Sequence, residues 1–491
     1  MLDNIFYKNT NIKNIYLLYF ILGLIFTMPI LMANVYYVDD LMRASTGILG
    51  WVTLGRPLTD ITFQSLSASS QAVDIFPLGL ILSVIALAAS STVMIVTSGM
   101  KQTLFNALAF SLIWFNPMML QNLSYRFDSL SMSLSILLCV FATHLTFKKN
   151  FFLTFFSIPF LIGSLCLYQP SIFVFLSCFT LIWLYKISSQ EFALKDVTLT
   201  AMKAILSFLL SYLVYSKCIL SYISFSNTRS ELIFASSGSY EHITLYFKTV
   251  FSQLESLYES GYETSLMLLL ISLIAGIAAM MKSPAKNKKR KLLSIIILVM
   301  IGPVACFILT FMPTAILKEA ITAPRVFMSF GFIISCIFIV ISKSRFAFVI
   351  AFFSYAIPTL ALSFSYGNAL KQQSDYDNIT ALEIMRSIDE SKENAIIYGI
   401  NDSPLIVQQI ISSKPFLKHL LSPSYDWTMS LRLQNYNAKN ISFAFNRKLK
   451  NHVAKIICDN KHKAEIISGN IATYGVDGYR LISLSGELPC K

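Results

Sequence analysis

The chain has 491 residues, of which 55% are hydrophobic and only 13% are charged, and its mean hydropathy is +0.62. An ordinary soluble domain carries roughly 25% charged residues, so this composition excludes a soluble globular protein of this size and also a disordered chain. It is typical of a polytopic membrane protein. The net charge of +13 does not indicate nucleic-acid binding, because the basic residues lie mostly in short loops and in a mixed-charge C-terminal segment.

A helix that crosses the hydrocarbon core of a bilayer needs about 20 apolar residues. A window of that length predicts eleven transmembrane helices, at 14–35, 76–98, 103–120, 129–146, 151–167, 171–187, 201–222, 264–281, 292–313, 327–342 and 346–364. The stretch 151–187 is split at Tyr168-Gln169-Pro170, and it either crosses twice or forms a re-entrant pair. The predicted fold is an all-α polytopic membrane domain, residues 1–364, followed by a smaller water-soluble domain, residues 365–491.

The distribution of lysine and arginine predicts the orientation of the chain. With the N-terminus in the cytoplasm, the inner loops hold 15 basic residues, six of them within 282–291, and the short outer loops hold 7. Eleven crossings then place the C-terminal domain outside. The acidic residues are also uneven, with three in the inner loops and eleven in the short outer loops. Acidic residues do little to set topology, so this bias suggests chemistry on the outer face.

The C-terminal domain carries 15 basic and 12 acidic residues, and its pattern changes to short helices and β-rich runs. The pattern predicts a small α/β domain, with helices at 379–391 and 404–421 and strands at 395–400, 441–445, 464–468, 471–476 and 479–484. Asp477-Gly478 predicts a hairpin turn between the last two strands. Cys458 and Cys490 lie in this domain, and the sequence leaves open whether they form a disulfide bond or two free thiols.

Two adjacent carboxylates, Asp39 and Asp40, follow the first predicted helix. They precede a segment, about 40–65, whose apolar spacing predicts helices lying along the outer membrane surface. At such a boundary, partial dehydration and like-charge repulsion raise the pKa of a carboxylate, which suits it to act as general base for a hydroxyl group. The alternative is structural: Asp40 caps the next helix and Asp39 is solvated.

Other polar residues lie on the same predicted face. Arg126 and Asp128 occupy the short turn 122–129, where they either pair with each other or, with Arg43, form a polar floor under the two aspartates. Three further basic residues are candidates for binding a phosphate, because arginine forks and lysine charges bind phosphate oxygens: Arg56, Lys318 and Arg325. The alternative for each is snorkelling to lipid headgroups. No metal site is predicted.

The segment 30–145 resembles the GtrII-type glucosyltransferases, the serotype-converting enzymes of phage and bacterial O-antigen modification. Five short motifs carry this resemblance: Tyr37-Val38-Asp39-Asp40-Leu41-x-Arg43, Gly50-Trp51, Gly55-Arg56-Pro57-Leu58, Asn116-Pro117, and Gln121-Asn122-Leu123-Ser124-Tyr125-Arg126-Phe127-Asp128-Ser129. Beyond residue 145 the resemblance consists of length, number of transmembrane helices and the exported C-terminal domain.

The resemblance implies a GT-C-like integral enzyme of the bacterial inner membrane. Such a hexosyltransferase takes a sugar, usually glucose, from undecaprenyl phosphate and transfers it to lipid-linked O-antigen at the periplasmic face. On this basis Asp39 or Asp40 is the expected base of a single displacement, and the three phosphate candidates bind the donor. No cofactor is expected, because a monophosphate leaving group does not require a divalent metal. It does not exclude one either.

Two other functions compete with this interpretation. A transporter or flippase for a polyprenyl-linked sugar would show charges at the membrane midplane, broken helices and internal repeats, whereas the charges here gather at one predicted face. An O-antigen polymerase acts on the same class of substrate at the same face. The sequence leaves open the acceptor sugar, the linkage, the oligomeric state and which of the two aspartates is the base.

Overall fold

The computed structural model describes residues 9–189, 194–223, 233, 239–282, 288–389, 394–438, 440–442, 446–459, 465–468, 471–476 and 478–486. Most of them are helical. The α-helices are Ile12–Ala33, Asp40–Thr46, Pro57–Ser67, Leu78–Ser98, Leu104–Ser111, Met119–Ser124, Ser129–Thr146, Phe152–Leu167, Ile172–Ser188, Leu194–Val214, Ser239–Glu259, Glu263–Lys282, Lys288–Ile296, Gly302–Ala315, Phe330–Ile341, Arg345–Asp389, Leu405–Ser413, Asp426–Asn435 and Arg447–Asp459. The strands are β1 (Asn394–Tyr398), β2 (Ile400–Asn401), β3 (Ser424–Tyr425), β4 (Glu465–Ser468), β5 (Ile471–Val476) and β6 (Tyr479–Ser483).

Eight helices in the described part of the chain are long and apolar enough to cross a membrane, so this is a multi-pass membrane protein. They are Ile12–Ala33, Leu78–Ser98, Ser129–Thr146, Gln169–Ser188, Lys195–Tyr222, Glu263–Lys282, Lys288–Ala315 and Arg345–Ile388. Phe152–Leu167 and Phe330–Ile341 are also apolar but shorter. The predicted break between 151 and 187 is present, because a helix ends at Leu167 and a 3-10 turn begins at Gln169.

The prediction of one continuous helix at 103–120 is wrong. The chain instead forms the helix Leu104–Ser111, a run of turns and the short helix Met119–Ser124. The sequence Asn116-Pro117 explains the interruption, because proline lacks an N–H group and disfavours helical geometry in the residue before it. The Asn116 side chain replaces lost backbone bonds, donating to two carbonyl groups of the preceding turn at 3.2 and 3.3 Å.

The change in composition after residue 364 does not coincide with the end of a helix. Arg345–Asp389 is a single helix of 45 residues, whose second half packs against the C-terminal elements. Beyond it, four strands form a sheet in the order β1-β6-β5-β4, with β1 parallel to β6 and the other pairs antiparallel. The strands β2 and β3 form a separate antiparallel pair. The predicted small α/β character of this region is confirmed.

Several details of the C-terminal region differ from the sequence prediction. The helix predicted at 404–421 ends at Ser413 and continues as the 3-10 turn Pro415–His419, since Pro415 cannot extend the α-helix. The helix Arg447–Asp459 was not predicted; it buries Val453 and Ile457 against the sheet. Of the predicted strand 441–445, only an isolated bridge between Ile441 and Ala395 is seen, and 443–445 lie outside the described residues.

Two further predictions concern residues at the edge of what the structure describes. Gly478 has φ +81°, as the predicted hairpin turn requires, while Asp477 lies outside the described residues. Cys458 is disulfide-bonded, and Cys490 lies outside the described residues.

The segment Lys414–Leu421 fastens the C-terminal region to the membrane helices. Phe416, Leu417 and Leu420 have no exposed surface and belong to the main hydrophobic core. Polar bonds join the same surfaces: Lys414 Nζ donates to the Ser260 carbonyl at 2.7 Å, and the Phe416 N–H donates to Ser260 Oγ at 3.0 Å. The helix Asp426–Asn435 also packs against Asp40–Thr46. The C-terminal region therefore covers the end of the helix bundle that carries the two aspartates.

Candidate active site

Three segments that are distant in sequence bring most of the predicted site residues together. The segment 34–67 contains Asp39, Asp40, Arg43 and Arg56. The turn before the helix Ser129–Thr146 contains Asp128, and the loop before Phe330–Ile341 contains Arg325. We call their charged residues the Arg–Asp cluster, defined as Asp39, Asp40, Arg43, Arg56, Asp128 and Arg325. The cluster lies in loops and short helices rather than inside the long apolar helices.

Asp128 is the buried anion that ties the cluster together. Its carboxylate lies 3.9 Å from Arg43 Nε and 3.5 Å from Arg56 Nη1, and it accepts the indole N–H of Trp51 at 2.7 Å. The Arg43 guanidinium stacks over the Trp51 ring, 3.9 Å from its centroid. The alternative in which Arg126 and Asp128 pair with each other is therefore wrong, because Asp128 binds two other arginines.

Asp40 is a structural link between two loops. It has no exposed surface, and its carboxylate accepts the backbone N–H groups of Tyr37 at 3.0 Å, Arg126 at 2.9 Å and Phe127 at 3.4 Å. Burial raises the pKa of Asp40 to about 8, and the three hydrogen bonds act in the opposite direction. The carboxylate connects the end of the first membrane helix to the turn that carries Asp128.

Asp39 has different surroundings from its neighbour. It occupies the N-cap position of the helix Asp40–Thr46, but its side chain makes no capping hydrogen bond. The structural alternative has Asp40 as the cap and Asp39 solvated; its first part is wrong, because Asp39 occupies the cap position, and Asp39 itself is partly buried. Burial raises the pKa of Asp39, the charge of Asp128 raises it further, and nearby arginines lower it. Within the described residues, Asp39 is a partly buried carboxylate whose oxygens accept no hydrogen bond.

Arg56 and Arg325 are held by aromatic and amide side chains. Arg56 donates from Nε to Gln169 Oε1 at 3.0 Å, and its guanidinium lies 4.5 Å from the centre of the Tyr168 ring. Arg325 donates from Nη1 to the Tyr125 hydroxyl. Arg56 also pairs with Asp128 through Nη1. A guanidinium carries five N–H groups, so each arginine retains N–H groups that can bind an anion.

Arg126 is not part of the cluster through its side chain. Its guanidinium pairs with Asp74 at 2.6 Å, donates to the Val35 carbonyl at 3.0 Å and lies between the rings of Tyr36 and Phe76. Only its backbone N–H reaches the cluster, at Asp40. Lys318 lies exposed in the segment that leads to Arg325, outside the buried cluster.

Three residues that support the site were not singled out from the sequence. Gln169 and Tyr168 position Arg56, as described above. Asp60 accepts the backbone N–H groups of Trp51 at 3.2 Å and Val52 at 2.8 Å, which fixes the loop that carries Arg56. Two sequence signals point to these residues: the polar break within the apolar run 151–187, and the excess of acidic residues in the predicted outer loops.

The described residues contain no group of three or more His, Cys, Asp or Glu side chains able to hold a metal ion. The cluster itself offers a carboxylate, Asp39, that accepts no hydrogen bond among the described residues and lies in the field of nearby guanidinium groups. Such a site can accept a proton from a hydroxyl group and can stabilise an anion.

Comparison with known proteins identifies the family. Residues 28–336 match the family described as Glucosyl transferase GtrII, and this range includes the whole Arg–Asp cluster. A similar protein, from Salmonella phage P22, is described as an uncharacterized 55.3 kDa protein in the gtrB 5' region. It is 25% identical over 489 residues, covering 94% of this chain and 96% of the relative. No solved structure matches. The chain, a multi-pass membrane protein with a buried Arg–Asp cluster, belongs to the GtrII glucosyl transferase family.

Proposed function

We propose that this protein transfers glucose from undecaprenyl-phosphate-glucose to a sugar of lipid-linked O-antigen at the periplasmic face of the bacterial inner membrane. Membership of a glucosyl transferase family supports the reaction class. The observation that carries the proposal is the position of Asp39, a partly buried carboxylate that accepts no hydrogen bond in the described structure and lies in the electrostatic field of Arg43, Arg325 and Arg56.

In this mechanism Asp39 is the general base. It takes the proton of the acceptor hydroxyl as the hydroxyl oxygen attacks the anomeric carbon of the donor. The bond between the anomeric carbon and the phosphate oxygen breaks in the same step, so the anomeric configuration inverts. The lipid phosphate leaves with the electron pair, and Arg56 and Arg325 stabilise its charge through their remaining N–H groups.

The remaining candidate residues support this centre. Asp40 is a positioning residue, because its oxygens are occupied by three backbone N–H groups. Arg43 and Asp128 fix the electrostatic surroundings of Asp39, and Arg126 contributes its backbone N–H to Asp40. Lys318 is an additional phosphate candidate, since it is an exposed lysine in the segment that leads to Arg325, and a positive charge attracts an anionic headgroup.

Two observations support the proposed orientation, with the N-terminus in the cytoplasm and the C-terminal domain in the periplasm. The predicted inner loops hold more basic residues than the predicted outer loops. Cys458 is disulfide-bonded, and disulfide bonds persist in oxidising compartments such as the bacterial periplasm. The GT-C-like architecture stays a prediction.

A transfer assay tests the proposed function. Membranes that contain the protein are incubated with undecaprenyl-phosphate-glucose, radiolabelled in the sugar, and with unmodified lipid-linked O-antigen. We expect label in the O-antigen with the wild type and none with Asp39→Asn. Asp375→Asn is the matched control, because Asp375 is a partly exposed aspartate that pairs with Lys371 and lies outside the Arg–Asp cluster. O-antigen chains that become longer but carry no transferred glucose would indicate a polymerase. A donor lipid that moves between leaflets without transfer of its sugar would indicate a flippase. Either result contradicts the proposal.

A further inference from the structure

Tyr37 joins the C-terminal region to the cluster. Its side chain is 3% exposed, and its hydroxyl donates to the backbone carbonyl of Leu420 while accepting Gln121 Nε2 at 2.9 Å. Leu420 belongs to the segment Lys414–Leu421, which is held against the membrane helices by its buried apolar side chains and its bonds to Ser260. The Tyr37 hydroxyl therefore has a fixed partner on each side.

Gln121 continues this connection to Arg325. Its Oε1 accepts the backbone N–H of Arg325 at 2.9 Å, and the neighbouring Asn122 donates from Nδ2 to the Arg325 carbonyl at 3.0 Å. Gln121 is 5% exposed, so competition from water is small. The hydrogen bond from its Nε2 to Tyr37 orients this amide group, and its Oε1 holds the backbone of Arg325.

A second route from Tyr37 reaches the guanidinium group of the same arginine. The rings of Tyr37 and Tyr125 meet edge to face, with centroids 4.8 Å apart and an interplanar angle of 89°. The Tyr125 hydroxyl accepts Arg325 Nη1. Tyr37 also donates its backbone N–H to Asp40, the neighbour of the proposed base. Tyr37 therefore contacts Gln121 and Tyr125, which hold Arg325. It also contacts Asp40, which is next to Asp39 in the chain.

We propose that Tyr37 and Gln121 are positioning residues through which the Leu420 carbonyl of the C-terminal region holds Arg325 in its phosphate-binding position beside Asp39. This inference rests on the proposed function, since it assigns Arg325 to the donor phosphate. It makes the segment Lys414–Leu421 a part of the active-site framework, although that segment supplies no side chain to the reaction.

The connection is testable without any substrate. Tyr37→Phe removes the hydroxyl but keeps the ring, so Gln121 loses its fixed partner. Amide hydrogen exchange on the full-length, detergent-solubilised protein should be about tenfold faster for the peptide that contains Arg325, as loss of one buried hydrogen bond predicts. Gln121→Leu should have the same effect and serves as the second variant. Tyr355→Phe is the matched control, because Tyr355 is also buried and donates to a backbone carbonyl, that of Phe115.

The kinetic test separates positioning from general loss of structure. Tyr37→Phe should raise the KM for the lipid-linked donor about tenfold and leave the KM for the acceptor unchanged. In an Arg325→Ala background the same substitution should raise the donor KM no further, because both changes act on one interaction. A full tenfold increase in that background, or unchanged exchange in both single variants, would overturn the proposal. Absence of transfer by the wild type would contradict the proposed function instead, and the exchange measurement would still decide whether the connection exists.

Discussion

At the scale of single residues, two adjacent aspartates differ in their hydrogen-bond partners. The oxygens of Asp40 are occupied by backbone N–H groups from two loops, whereas those of Asp39 accept no hydrogen bond among the described residues. A general base needs a free acceptor oxygen within reach of the substrate hydroxyl. This difference is the reason for the proposal that Asp39 transfers the proton and Asp40 holds the loops.

This difference predicts opposite consequences for substitution of the two residues. Asp39→Asn should lower sugar transfer by roughly 10²–10⁴-fold without changing thermal stability, because a positioned base is lost and no hydrogen bond is broken. Asp40→Ala should lower the melting temperature, since each buried N–H left without an acceptor costs about 1–3 kcal/mol. Transfer assays and melting curves on the purified variants measure both effects. A stable Asp40→Ala variant with normal activity would remove Asp40 from the framework.

The pH dependence of transfer follows from the surroundings of Asp39. Burial and the negative charge of Asp128 raise its pKa above the ordinary value of 3.8, and a base must be ionised to accept a proton. The transfer rate should therefore rise with pH as Asp39 ionises, and the midpoint of this rising limb of the pH–rate profile should lie above pH 3.8. In Asp128→Asn one raising charge is removed while the arginines remain, so the limb should move to lower pH. A shift to higher pH would contradict this electrostatic account.

The two arginines among the phosphate candidates, Arg56 and Arg325, give a third prediction. Arg56→Ala and Arg325→Ala should each raise the KM for the donor more than the KM for the acceptor, and Arg→Lys should recover only part of the loss, because lysine carries the charge but not the bidentate fork. Binding of undecaprenyl phosphate to the solubilised variants measures the interaction directly. Unchanged affinity in both alanine variants would move the phosphate site elsewhere, with Lys318 as the next candidate.

The sequence predicted the composition of the cluster better than its connections. Asp39, Arg56 and Asp128 lie in short polar motifs between apolar helices, and that position is visible in the sequence alone. Their pairing is not visible, because Asp128 binds arginines from another loop while Arg126 binds Asp74. The contact between Tyr37 and Leu420 crosses most of the chain, and no local pattern marks it.

At the scale of helices and strands, hydropathy located most apolar helices, but local chemistry decided where they end. The break at Asn116-Pro117 interrupts a run that is apolar enough to cross a membrane. Its physical signal, a proline preceded by an asparagine, is present in the sequence. The opposite error occurred near residue 364, where polar residues follow and yet the helix Arg345–Asp389 continues. The composition of a segment indicates whether lipid or water surrounds it. It does not indicate where a helix ends.

Close packing of helices at glycine gives a prediction at this scale. A Cβ atom added at Gly331 would lie 2.3 Å from the carbonyl oxygen of Leu112, so the helix Phe330–Ile341 must move away from the end of Leu104–Ser111. Gly331→Ala should destabilise the protein by about 1–3 kcal/mol, the usual cost of overpacking. Gly475→Ala is the control, because a Cβ atom there meets no atom within 4 Å. Equal melting temperatures for the two variants would contradict the packing shown here.

At the scale of the whole molecule, the membrane helices and the C-terminal region pack together around the Arg–Asp cluster. The segment Lys414–Leu421 is buried in the same hydrophobic core as the apolar helices, and the helix Asp426–Asn435 packs against Asp40–Thr46. An arrangement of this kind requires the C-terminal region and the Arg–Asp cluster to lie on the same side of the membrane. The orientation of the chain therefore decides on which side the reaction takes place.

Labelling of introduced cysteines tests that orientation. In a Cys218→Ser background, which removes the exposed free thiol among the described cysteines, Ser412→Cys places a thiol on the C-terminal region and Lys149→Cys places one in a predicted inner loop. Both positions are exposed in the structure, so a difference in labelling reports the side of the membrane rather than burial. A membrane-impermeant maleimide should label Ser412→Cys in cells with a permeabilised outer membrane, and Lys149→Cys only after the inner membrane is disrupted. The reverse pattern would place Asp39 in the cytoplasm, where a reaction with lipid-linked O-antigen at the periplasmic face is impossible.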